Sequence, residues 1–208
     1  MSSKKSASQS TVLLGCLLLT NRVQYQWNPQ KVLAQPIMPA RDGGTNVTSP
    51  DGSQFNINGG TTSGNNLFHS FEQFNLDAGQ TANFISHPNI ENILGRINAN
   101  NPSLINGLIT VTGANSNLFL MNPAGIVFGP NASLNVPASF TATTATGIGF
   151  GNNNWFEAIG NNNWSNLVGT PSAFKFENPR AGGIVNFGNL AVNSGENLTL
   201  LISEERRV

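Results

Sequence analysis

Cysteine is all but missing from this 208-residue chain; the one copy, Cys16, sits in an apolar run near the N-terminus. A disulfide framework and a cysteine-based zinc site are therefore excluded for everything after that run. Histidine is almost as scarce, with His69 and His87 the two copies. Charge is the third shortage. Ten basic residues balance ten acidic ones, and charged residues make up 10% of the chain, against about 25% in ordinary soluble domains. A nucleic-acid partner calls for clustered lysine and arginine, so none is expected. A hydrolase needs an activated nucleophile with a base in reach, and no Gly-x-Ser-x-Gly elbow occurs. The acidic residues Asp51, Glu72, Asp77, Glu91, Glu157 and Glu177 are scattered singly, without the paired carboxylates of a glycosidase or the ligand run of a Ca²⁺ site. The chain is read as a non-enzyme with no catalytic residues, no metal and no cofactor.

Asparagine supplies the missing polarity, at about 15% of the chain, beside 22 glycines and 13 phenylalanines. Residues 117–136, NLFLMNPAGIVFGPNASLNV, show how these are used. Short apolar runs, Leu118–Met121 and Ile126–Phe128, alternate with corners rich in Asn, Pro and Gly. Asn122-Pro123 starts a turn, because proline fixes its own φ and keeps the preceding residue out of the helical region. Gly125 supplies a position with φ > 0, and Ile126 begins the next strand. The same grammar continues through Phe55–Ile57, Leu67–Leu76, Ala82–Ile85, Leu108–Thr112, Leu134–Ala142, Ile184–Val192 and Leu198–Ile202. One segment departs from it. Between Ile90 and Arg96 apolar residues fall three and four apart, which predicts a single helical turn. Short, regular strands suit a sandwich, a barrel or a β-solenoid. Asparagine set repeatedly beside apolar positions favours the solenoid, where stacked side-chain amides satisfy one another in ladders.

Three regions follow. Residues 1–34 read as an export leader, with Lys4 and Lys5 ahead of TVLLGCLLLT (11–20) and cleavage after Ala34, although the polar stretch Asn21–Lys31 makes the leader atypical. Leu13–Cys16 also bears a faint likeness to a lipoprotein cleavage box. Residues 35–202 are the folded domain, and 203–208 a charged tail.

Three segments together carry a family resemblance: FEQFNLDAGQTANF (71–84), residues 87–129 from HPNIENILGR to MNPAGIVFG, and NLAVNSGENLTLL (189–201). They resemble the N-terminal two-partner-secretion (TPS) domain of the filamentous haemagglutinin family, over residues 43–201, and most closely the versions found in cyanobacteria. The resemblance implies an all-β fold, a right-handed parallel β-helix with an N-terminal cap and small extra-helical β elements. It implies an exoprotein, haemagglutinin- or adhesin-like, that crosses the periplasm, is engaged by the periplasmic domains of an outer-membrane barrel, and is secreted or displayed at the cell surface. The family's two signatures are Asn-Pro-Asn-Leu and Asn-Pro-Asn-Gly-Ile. Here they become His87-Pro88-Asn89-Ile90 and Asn122-Pro123-Ala124-Gly125-Ile126, each short of one amide. These nine residues are the candidates for transporter recognition, or for shaping the fold alone. At 20–25 residues per coil, a helix running from Asn46 to Ile202 would hold about seven coils.

Other readings stay open. Two near-duplicate Asn-Asn-Asn-Trp motifs place Trp155 and Trp164 where they could stack on sugars, making the chain a surface carbohydrate binder, or where they cover the flank of the helix. TATTAT (141–146) could present a threonine row like that of ice-binding solenoids. His69 is expected to face solvent or bond locally, and His87 to be an exposed turn residue. A monomer is expected. The chain stops where a family exoprotein would continue, so a truncated or non-functional gene product is a further alternative.

Overall fold

The computed structural model describes residues 36–177 and 182–203. The leader, with Cys16, and residues 204–208 of the charged tail lie outside them.

The chain opens with a cap of antiparallel strands. β1 (Ile37–Pro39), β2 (Thr45–Thr48), β3 (Gln54–Gly59) and β4 (Thr61–Ser63) precede the first long strand, β5 (Asn66–Phe74). β1 and β4 pair antiparallel with β5, and β2 with β3. From β5 the chain winds. It visits a short sheet at Leu76, which bridges to Ile105, then β6 (Thr81–Ile85). The next coil is β7 (Asn92–Ile97), β8 (Ser103–Ile105) and β9 (Leu108–Thr112). The one after is β10 (Asn117–Met121), β11 (Ile126–Phe128) and β12 (Ser133–Asn135). β13 (Phe140–Thr143) starts another pass. The chain then leaves the coil to form β14 (Gly147–Gly149), β15 (Trp155–Glu157), a 3-10 turn at Trp164–Asn166 and β16 (Ala173–Lys175), a small antiparallel sheet. It returns as β17 (Ile184–Asn186) and ends the described solenoid with β18 (Leu198–Leu201).

Parallel ladders stack these passes into three faces: β5-β7-β10-β13-β18, β3-β6-β9-β12 and β8-β11-β17. The expected parallel β-helix, cap and extra-helical sheet are all present. The coil count is not seven; the solenoid has about three turns. Coil length lies close to the expected 20–25 residues, with register partners on the long face 26, 25 and 22 residues apart. The cap and the excursion between β13 and β17 consume the remainder, and their strand-like composition hides them.

The interior is a column of inward rows. Leu67, Ile93, Leu118 and Phe140 stack in register on the long face, opposite Phe55, Ala82 and Ile109. Phe71, Phe74 and Phe84 close the cap end, with ring centroids 5.2–6.2 Å apart. The helical turn predicted at Ile90–Arg96 is instead strand β7, buried along its whole length. Ile93 faces the solenoid core, while Leu94 belongs to a second apolar cluster on the outer face beneath the excursion. A strand buried on both faces loses its alternation, and its apolar spacing then imitates a helix.

Candidate functional site

The signature corner Asn122–Ile126 joins the long face to the short one. Asn122 is fully buried, and its side chain uses both ends of the amide. Oδ1 accepts the Ala124 N–H at 3.0 Å, the closure of an Asx turn, while Gly125 N–H bonds the Asn122 carbonyl at 3.0 Å. Nδ2 donates to the Asn101 carbonyl and to Ser103 Oγ, each at 3.0 Å, in the preceding coil. Gly125 has φ +115°, so a side chain there would be strained. The Pro123 carbonyl accepts Gly182 N–H at 2.8 Å, and Ile126 N–H donates to the Gly183 carbonyl at 3.1 Å. The corner is thus stapled to the coils on both sides, with Pro123, Gly125 and Ile126 buried and Ala124 partly exposed.

The second corner, His87–Ile90, lies elsewhere, where the face holding β6 passes to β7. Ile90 N–H closes the turn on the His87 carbonyl at 2.9 Å. His87, Pro88 and Asn89 are exposed, as expected for His87, while Ile90 is an anchor packed into the core. Ser116 Oγ donates to the Ile90 carbonyl at 2.6 Å and shares a 2.7 Å hydrogen bond with Ser86 Oγ. The two signatures therefore occupy different corners. One presents three exposed residues, the other almost none.

Asparagine ladders run up the coils as the composition suggested. Asn117 Nδ2 donates to Asn92 Oδ1 at 3.0 Å, Asn92 Nδ2 to Asn66 Oδ1 at 2.9 Å, and Asn66 Nδ2 to the Leu167 and Gly169 carbonyls. A second row links Asn83 to Asn56 and Thr112 to Asn83.

Trp155 and Trp164 are both half-buried on the flank. Lys175 Nζ sits over the Trp155 ring at 5.1 Å, and Trp164 packs on Phe68 and Phe156 with centroids 5.7 and 5.9 Å away. Trp164 thus helps cover the flank, while Trp155 lies against Lys175 and Asn153 of the side sheet. Thr141, Thr143 and Thr144 are buried, so the alternative of a solvent-facing threonine row is not met.

Two further buried polar residues lie on the long face, and of these Arg96 escapes the sequence reading. His69 is completely buried, not solvent-facing. Its Nδ1 lies 3.3 Å from Thr45 Oγ1, a hydroxyl that also accepts Ser70 N–H, and burial pushes its pKa down to about 4. Arg96 is also fully buried, and it pairs with Asp42 of the cap. The available signal was a lone charge inside an apolar run, in a chain with few charges to place.

A parallel solenoid with an antiparallel cap and a side sheet places the chain in the class of parallel β-helix proteins. The TPS secretion domain matches residues 35–205, and the chain belongs to that family. The HMW1 secretion domain from Haemophilus influenzae shares the fold, at 24% identity and a TM-score of 0.56, over 79% of this chain and 38% of that one. A filamentous hemagglutinin secretion domain aligns at 24% identity and a TM-score of 0.47, over 56% of this chain and 45% of that one. The chain spans less than half the length of either solved chain. It matches no curated protein.

Proposed function

We propose that this chain is the secretion-recognition domain of a two-partner exoprotein, exported through the periplasm and engaged there by the periplasmic domains of an outer-membrane barrel. The observation that carries the reading is the extent of the family match, which spans cap, solenoid and excursion together. The exposed His87-Pro88-Asn89 corner is the signature able to touch a transporter while folded. The buried Asn122 corner acts through the fold. Adhesion belongs to any longer exoprotein that such a domain leads.

The test is a pull-down of the purified chain with the periplasmic domains of a partner barrel. Saturable binding, weakened by changes at His87–Asn89, is expected. No binding there, together with saturable glycan binding lost in Trp155→Ala, would overturn the reading in favour of the carbohydrate binder.

A further inference from the structure

The outer side of the long face turns two rows of side chains toward the excursion. Phe68, Leu94 and Phe119 stand in register in one row, and Ser70, Arg96 and Met121 in the next. Ala145, Ile148, Phe150, Phe156 and Leu167 cover this strip from the excursion. Arg96 is its polar centre. Nε donates to Ser70 Oγ at 2.9 Å, and Nη1 donates to the carbonyls of Glu157 at 2.6 Å and Gly160 at 2.9 Å. Nη2 pairs with the Asp42 carboxylate, and the Phe156 and Trp164 rings lie 5.9 and 5.6 Å from the guanidinium. A guanidinium without partners in such a place is strongly disfavoured.

The partners of Arg96 stand at very different chain distances. The solenoid rungs that flank β7 are 25–26 residues away. The two carbonyls lie 61 and 64 residues downstream, and the bonds from Asn66 to Leu167 and Gly169 span 101 and 103. Short-range rungs close with less loss of chain entropy than such long loops. The excursion is also the thinner unit, built from three strands of three residues each.

We infer that residues 144–177 form a clasp that closes after the β5, β7 and β10 rungs, over that flank already built, with Arg96 as its catch. Until the clasp shuts, Phe68, Leu94 and Phe119 form an open apolar strip with one cation beside it. A chain delivered N-terminus first keeps that strip uncovered until about residue 167 is available. The inference rests on these contacts and does not depend on the export reading.

Native-state hydrogen exchange on the full chain tests it. The clasp amides of Thr146, Phe150, Ala158 and Ser172, all backbone-bonded, should exchange at least about tenfold faster than the solenoid amides of Ser86, Leu118 and Asn122. In refolding experiments, Phe156→Leu and Ile148→Val should speed unfolding and leave the folding rate within about twofold of the parent, whereas Ile93→Val slows folding. Equal protection of the two amide sets, or folding slowed as much by Phe156→Leu as by Ile93→Val, overturns the inference.

Discussion

Replacing Asn122 by alanine removes three hydrogen bonds at one corner. The Ala124 amide and the Asn101 carbonyl lie near the surface and regain water, so each loss is about 1 kcal/mol. Ser103 is 1% exposed, and its hydroxyl stays buried with one partner fewer, for about another 1–2 kcal/mol. The total is about 3 kcal/mol, a large share of the roughly 5–15 kcal/mol that holds a domain together. With an m-value of about 2 kcal/mol/M, the urea midpoint should fall by about 1.5 M at unchanged slope. Asn122→Asp is a sharper probe. It keeps the acceptor that closes the Asx turn, but sets a carboxylate oxygen against the Asn101 carbonyl in a fully buried site, so it should destabilise more than alanine does. An alanine variant within about 0.5 kcal/mol of the parent would refute the reasoning. Secreted yield gives the second axis. If the corner only shapes the fold, yield should drop in proportion to stability across both variants; lost secretion from a variant with a normal midpoint would mean direct contact with the transporter.

Gly125→Val should destabilise by about 1–3 kcal/mol, because φ is +115° and the new Cβ would meet the Gly183 carbonyl at 3.1 Å; a thermal melt unchanged from the parent would contradict this. Asn92→Leu breaks the ladder on both sides and should remove about 2 kcal/mol, read as a shift in the urea midpoint. His69 is neutral when folded, with its pKa lowered from 6.5 to about 4. The unfolded chain therefore binds more protons between those values, so stability is full above pH 6.5 and falls by about 3 kcal/mol as the pH drops through 4. His69→Phe should flatten that part of the pH profile, and a slope retained in the variant would assign it to other groups. Arg96→Met should cost about 3 kcal/mol, because Ser70 Oγ, the Asp42 carboxylate and the Gly160 carbonyl each lose a partner, while the Glu157 carbonyl keeps Asn162 Nδ2. Asp42→Asn should cost less, since the Asp42 side chain is 38% exposed, and the two urea midpoints compared show whether that order holds.

What the sequence displayed was local. The Asn122 corner was legible because an Asx bond, a proline φ and a glycine φ are all set within five residues. Coil length was legible because each corner carries its own turn residues, and the ladders because amides recur beside apolar positions. What stayed hidden was set at long range. β7 imitated a helix because its outer face is covered by residues more than 50 positions downstream. His69 reads as a solvent-facing or locally bonded residue of an alternating strand, yet the fold buries it completely and its partner Thr45 lies 24 residues away. Arg96 showed only as a charge inside an apolar run, since its partners come from three separate parts of the chain.

The return from the excursion has its own consequence. β18 starts 58 residues after β13, against 22–26 for the preceding coils, yet it lands on β13 in four consecutive parallel pairs. The register of the ladder is therefore indifferent to how much chain leaves between β13 and β17. Extra chain can enter at the exposed Gly151–Asn153 tip of this insert without re-indexing a single rung, provided the residues that cover Leu94 and hold Arg96 are kept. For the engineer it is an insertion point: a foreign module added at the exposed Gly151–Asn153 tip could ride on the solenoid as cargo.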